Sequence, residues 1–212
     1  MRHEVGPAAR ILWLFLVAPL PLVHCLGLAA AASAQAVSDD AHHQSVGAAR
    51  APTMGAPKIA YGTNELPGAV QDMRAAILEA VHAGEIEDLR RAYELNELKP
   101  DLGDGPIADP VAHWRQISGD GEGREILAIL AGILDAGYVT VAGGRDVENA
   151  RVYVWPYFAE MPISSLSKAQ EVELLRLVSP AALAAMRAAG RYTYWRVTIG
   201  ADGTWHSFRK QP

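Results

Sequence analysis

The sequence predicts an α+β domain, with N-terminal helices packed on a small antiparallel sheet of about four strands that ends in a C-terminal β-hairpin. Three observations predict it. Four helical patterns precede the first strand-like run, a helical pair separates that strand region from the last one, and Tyr192 to Ile199 alternates before Gly200-Ala201-Asp202-Gly203 and a returning Thr204 to Arg209. Strands and helices in strict alternation would point to a parallel sheet instead.

Residues 1–36 read as a secretory signal. Arg2 and Arg10 give the positive start, Ile11 to Val23 is apolar, and Ala32-Ser33-Ala34 and Ala34-Gln35-Ala36 both fit a small-x-small cleavage site. The expected mature chain starts at Gln35 or Val37, and its address is periplasmic or secreted. An uncleaved membrane anchor is the alternative, because apolar residues resume after His24, although Pro19, Pro21 and Gly27 oppose a regular span. Cys25 follows His24 where a lipoprotein signal requires a small residue, so lipid modification is not expected.

Residues 37–63 are rich in Ala, Ser, Gly, Pro and His without an apolar period and read as a flexible linker, with His42 and His43 as solvated linker residues. A single domain is expected over 64–209.

Helical spacing starts near Pro67, where Val70, Met73, Ile77 and Val81 form one stripe and Gly84 supplies a stop. A short helix from Glu85 to about Tyr93 turns Ile86, Leu89 and Tyr93 inward, and Lys99 to Asp109 is a loop. Asp109-Pro110 is an N-cap followed by a first-turn proline, opening a helix that buries Val111, Trp114 and Ile117. Glycines 119, 121 and 123 form the next loop, and Glu125 to Leu134 is a buried helix stopped by Gly137.

Tyr138 to Val141 is a strand. After a turn at Gly143-Gly144, Arg151 to Trp155 is a second, with Val152 and Val154 on one face and Tyr153 and Trp155 on the other. Ser167 and Gln170 have capping-box spacing before a helix carrying Val172, Leu175 and Val178 inward, and Ser179-Pro180 opens another to Ala189 with Gly190 as its cap. In the final hairpin a three-residue loop with Gly203 in a bulge sets Gly200 opposite Thr204. Trp195, Val197, Ile199 and Trp205 then share one face, and Tyr192, Tyr194, Arg196, His206 and Phe208 the other.

Composition narrows function. Nineteen Lys plus Arg against 24 Asp plus Glu give a formal charge of −5, which supplies no drive toward nucleic acid or anionic lipid. One cysteine makes neither an intramolecular disulfide nor a thiolate metal site. No metal site and no cofactor is expected. Glu79 and His82 have the spacing of ligands on one face of a di-iron helix, but no second copy occurs. His-Glu-x-x-His and Gly-x-Ser-x-Gly are absent from the sequence.

Ser118 to Arg124 is glycine-rich before a helix, yet Asp120 and Glu122 would repel a phosphate and the preceding element is helical. A capped turn is the expectation, with an ion contact or a catalytic loop as alternatives. The constellation Tyr192, Tyr194, Arg196 and His206 is the expected ligand-binding face. Rings give apolar contact, the guanidinium of Arg196 matches a carboxylate or phosphate, and histidine is the side chain that exchanges protons near neutrality. Tyr153, Trp155, Tyr157 and Phe158 cluster as packed aromatics or, alternatively, as a platform for sugars.

At Tyr153-Val154-Trp155-Pro156-Tyr157-Phe158-Ala159, at Tyr192-Thr193-Tyr194 and at Gly200-Ala201-Asp202-Gly203-Thr204-Trp205-His206, the chain resembles a family of exported, mainly alphaproteobacterial proteins without an assigned activity. That resemblance covers residues 64–209 and implies an exported single-domain protein. Ala83-Gly84-Glu85-Ile86-Glu87-Asp88-Leu89 and the closing Asp-Gly-x-Trp hairpin are similar to the ends of the cone-shaped nuclear transport factor 2 domain, although two helices fall between strands where that fold runs its sheet on.

The functional expectation is a non-catalytic exported domain that binds a small molecule or an envelope protein, with no nucleic-acid partner and no stable membrane insertion after cleavage. An envelope hydrolase or isomerase using His206 as general acid/base, with Glu160 or Asp120 as carboxylate partner, is the second. A membrane-tethered interaction module that retains its leader is the third.

Overall fold

A computed structural model describes residues 57–103, 105–143 and 151–212; the signal segment, His42 and His43 and the Gly144 half of the Gly143-Gly144 turn lie outside them. Five antiparallel strands form a meander in the order β1 to β5: β1 (Ile59–Ala60), β2 (Tyr138–Ala142), β3 (Arg151–Trp155), β4 (Trp195–Gly200) and β5 (Trp205–Lys210). The α+β class is as expected. The strand beyond the expected four is β1, which pairs Ile59 with Val139 and Ala60 with Tyr138, inside the stretch read as linker.

Four helices follow β1. In α1 (Gly68–Ala83) the buried residues are Val70, Met73, Ile77 and Ala80, while Val81 is only half-buried, and Gly84 at φ 75° ends the helix. A 3-10 turn at Ile86–Asp88 leads into α2 (Leu89–Glu94), which buries Ile86, Leu89 and Tyr93 as the spacing predicts. In α3 (Pro110–Ile117) the Asp109 carboxylate accepts from Val111 N–H and Pro110 occupies the first turn; Val111 and Trp114 are buried and Ile117 faces outward. The apolar helix α4 (Arg124–Asp135) buries Ile126, Leu127, Leu130, Ile133 and Leu134.

Each helix carries an apolar stripe that requires a partner surface, and one face of the sheet supplies it. Tyr138, Tyr153, Trp155, Trp195, Val197, Ile199, Trp205 and Phe208 meet α1 to α4 in a first core. Trp114 stacks on Trp205 with centroids 6.3 Å apart, and Trp195 stacks on Phe208 at 4.7 Å. Asn96, buried just after α2, ties this layer down. Its Oδ1 accepts from Trp205 N–H at 2.7 Å while its amide donates to the Ala92 carbonyl at 2.9 Å.

Among the described residues the second face of the sheet is only partly covered. Val139 and Val154 pack there with Tyr157, Phe158 and Ile163 and with two helices, α5 (Lys168–Leu174) and α6 (Pro180–Ala189), through Leu174, Leu183 and Met186. Ser167 and Gln170 close the predicted capping box, and Ser179 caps α6. The inward stripe of α5 differs from expectation at two positions, since Val172 and Leu175 are exposed and Leu174 is buried, while Val178 is buried as expected. The helix ends after seven residues at Leu174, so Leu175 and Val178 lie beyond it. Glu173 fastens α5 to the sheet, accepting from the phenols of Tyr61 at 3.0 Å and Tyr157 at 2.9 Å. Burial, reinforced by this carboxylate, pushes the Tyr157 phenol far above its ordinary range, so it stays a donor.

Candidate functional site

The last hairpin forms as predicted at its turn. Gly200 N–H donates to the Thr204 carbonyl at 2.8 Å, and Gly203, at φ 90°, closes the loop. The strands differ from expectation one step later. Ile199 pairs with Trp205 while Thr198 pairs with Ser207, so His206 is the extra residue of a β-bulge. That inserted residue shifts the alternation, and Phe208 joins Trp205 in the first core instead of sharing a face with Arg196. The opposite face of the pair then carries Arg196 across from Arg209 and Thr198 across from Ser207.

These residues border an open-sided hollow of about 460 Å³ where the second helical layer leaves the sheet uncovered. Val141, Val152 and Val154 supply its apolar side from β2 and β3. Arg196, Thr198, His206, Ser207 and Arg209 supply its polar side, and Glu160 and Asp101 also line it.

The loop before α3 holds the bulge in place. Asp101 N–H donates to the His206 carbonyl and Phe208 N–H donates to the Asp101 carbonyl, both at 2.9 Å, so the loop acts as a one-residue sixth strand. The Asp101 carboxylate also pairs with Arg209 Nε at 3.0 Å. Arg196 Nη1 reaches Glu160 only at 3.5 Å. The Gln211 amide, turned so that its donors and acceptors match, accepts from Arg196 Nη1 at 2.8 Å and donates to the Tyr192 carbonyl at 3.3 Å.

Two polar atoms of this site are buried without a partner among the described residues: Arg196 Nε and His206 Nε2. Buried donors are nearly always satisfied, and an exception calls for a reason. The Thr198 and Ser207 hydroxyls, 2.6 Å apart, bond to each other. Among the described residues only one of their two hydrogens is used, so the accepting hydroxyl keeps one to donate.

Of the four residues expected to form the ligand face, Arg196 and His206 border the hollow together. Tyr192 and Tyr194 precede β4, which starts only at Trp195. Tyr192 is 1 % exposed, sealed in the second core, and its phenol donates to the Trp195 carbonyl at 2.8 Å. Burial raises its pKa steeply. Tyr194 lies in a separate small cleft with Glu125, Ile129 and Leu177. Nothing in the sequence pattern marks Arg209, Thr198, Ser207 or Asp101 as residues of the site. The bulge that brings Arg209 opposite Arg196 has no signature in simple alternation.

The glycine-rich stretch before α4 is a capped turn. Asp120 accepts from the Ser118 hydroxyl, from the N–H groups of Glu122 and Gly123, and through Oδ2 from Arg124 N–H. The Ser118 hydrogen bond, aided by these backbone donors, holds the Asp120 carboxyl below its ordinary 3.8. A depressed folded-state pKa stabilises the protein above the unfolded value, and that contribution disappears as pH falls through the folded one. Asp120→Asn is therefore expected to melt below the wild type at pH 7, with the gap closing in scans taken progressively below pH 3.8. A gap that persists unchanged at low pH would show that the charge of Asp120 is irrelevant. Glu79 pairs with Arg91 at 3.4 Å, and among the described residues no group of three or more His, Cys, Asp or Glu side chains could hold a metal ion.

Set against family models, curated proteins and solved structures, the chain has no match.

Proposed function

We propose that this protein is an exported envelope domain that binds a small molecule in the uncovered hollow of its sheet, without catalysing a reaction on it. The observation that carries the reading is the pair of unpartnered buried atoms, Arg196 Nε and His206 Nε2, in side chains that border the hollow. A ligand acceptor satisfies the first at no cost in new burial, and leaving such a group unpaired costs about 1–3 kcal/mol. Export rests on the leader pattern of Arg2, Arg10 and Ile11 to Val23. The acid/base reading of His206 has less support. Among the described residues its imidazole has no carboxylate hydrogen bond to orient it, and Asp120 is committed to the turn before α4.

Arg196→Ala tests the proposal. The Arg196–Glu160 contact is a long, partly exposed pair worth about 1 kcal/mol or less, so folding should survive. Wild type and variant are recovered from the envelope of the host and compared by native mass spectrometry and thermal melting. The expected result is a small molecule retained by the wild type and lost from a variant with a nearly unchanged midpoint. Parallel loss of fold and capture would make Arg196 structural and remove the proposal. The same spectrum reads the mature mass, which should lack residues 1–34 or 1–36; a retained leader would favour the tethered module.

A further inference from the structure

The geometry points to a specific ligand class for this hollow: an organic carboxylate with an aliphatic body, its oxyanion held between Arg196 and Arg209 and its chain laid over Val152 and Val141. The inference rests on the binding reading above and deepens it.

Three observations combine. First, Arg196 and Arg209 are direct cross-strand partners. Like charges in that position repel, and a sheet normally avoids placing them there. Each arginine has its own carboxylate among the residues lining the hollow, Glu160 for Arg196 and Asp101 for Arg209. Neither carboxylate is shared by both guanidinium groups in these ion pairs, so the repulsion between the paired strands has no common counter-charge. An anion between the two would supply one.

Second, the donors exceed the acceptors. Each guanidinium carries five N–H groups in a planar fork suited to a carboxylate. Among the described residues Arg196 Nε is buried and unpaired, while its Nη1 donates to the Gln211 amide oxygen at 2.8 Å and reaches Glu160 only at the 3.5 Å limit of a hydrogen bond. The Thr198–Ser207 hydroxyl pair, next along the same strands, adds a spare hydrogen.

Third, polarity is sorted by strand. The order β2, β3, β4, β5 places Val141, Val152 and Val154 on one side of the hollow and the arginines, hydroxyls and His206 on the other. A free inorganic anion would use only the second half. A molecule with an anionic head and an aliphatic body uses both, and the half-buried Val141 and Val152 gain from being covered.

The test is calorimetric titration of the full mature chain with octanoate, octanol and inorganic phosphate, alongside amide NMR to locate each. Octanoate is expected to bind, with shifts at Val141, Val152, Arg196, Thr198 and Arg209, and to bind about tenfold or more tighter than octanol. Arg196→Gln and, separately, Arg209→Gln should each weaken octanoate by about tenfold while leaving octanol unchanged, and Val152→Thr should weaken both. Equal affinity for octanoate and octanol, or octanoate shifts centred elsewhere on the surface, would overturn the carboxylate assignment. If phosphate or octanol alone perturbs these amides, the ligand class is wrong while the hollow remains a binding site. If none of the three perturbs them, the carboxylate assignment falls, and the failure of the hollow itself is then read from the Arg196→Ala capture experiment.

Discussion

Replacing Trp205 with Ala is expected to cost about 3–5 kcal/mol, enough to leave a domain of ordinary stability close to unfolding. Trp205 is fully buried at the start of β5, stacked on Trp114 and 6.4 Å from Phe208. Its Nε1 donates to the Ser207 carbonyl at 3.1 Å, and its backbone N–H is the group that Asn96 accepts. Truncation therefore opens a cavity where α2, α3 and β5 meet and strips an acceptor of its donor. Equilibrium denaturation in urea measures the loss. A cost below about 1 kcal/mol would mean that the helical layer does not rest on this face of the hairpin.

Gly123→Ala should rank next, at about 2–5 kcal/mol. Gly123 precedes α4 with φ 87°, a conformation that costs a side-chain-bearing residue about 1–2 kcal/mol. A Cβ there would also lie 2.6 Å from Cγ1 and 2.7 Å from Cβ of Ile86, which is buried beneath α1 and α4 and has little room to give. Overpacking of that kind adds about 1–3 kcal/mol. Gly121→Ala separates the two causes, because Gly121 has a similar φ of 68° but open space around the added atom. The second variant should lose only the backbone share. Equal losses in the two would show that the Ile86 contact is soft.

Much of the fold was legible because its signals are local. Gly84 and Gly190 end helices where expected, Asp109, Ser167 and Ser179 cap them, and the alternation in Arg151 to Trp155 sorts Tyr153 and Trp155 from Val152 and Val154 correctly. Local rules suffice where a backbone group is satisfied by a neighbour a few residues away.

What escaped depends on partners distant in the chain or on one inserted residue. Asn96 is an ordinary polar residue after a short helix until the fold brings Trp205 N–H to it across 109 positions. Asp101 sits in a Pro- and Gly-rich loop and turns out to brace the edge of β5. The bulge at His206 sends Phe208 inward and Arg209 to the face of Arg196, a change that no period-two reading carries. Alternation extended backwards past Trp195 puts Tyr192 and Tyr194 on the strand, but β4 starts only at Trp195. The candidate site was thus half legible: Arg196 and His206 were singled out, and the second arginine, the hydroxyl pair and the valine side were not.

The proposed function places small-molecule uptake at the part of the sheet that the described residues leave open. Amide NMR of the isotope-labelled mature chain against a diverse library of small fragments tests it most directly. The perturbed residues are expected to converge on Val141, Val152, Arg196, Thr198, His206 and Arg209. Convergence on the groove between α1 and α2, around Glu79, Arg90 and Leu95, with this sheet face silent, would contradict it.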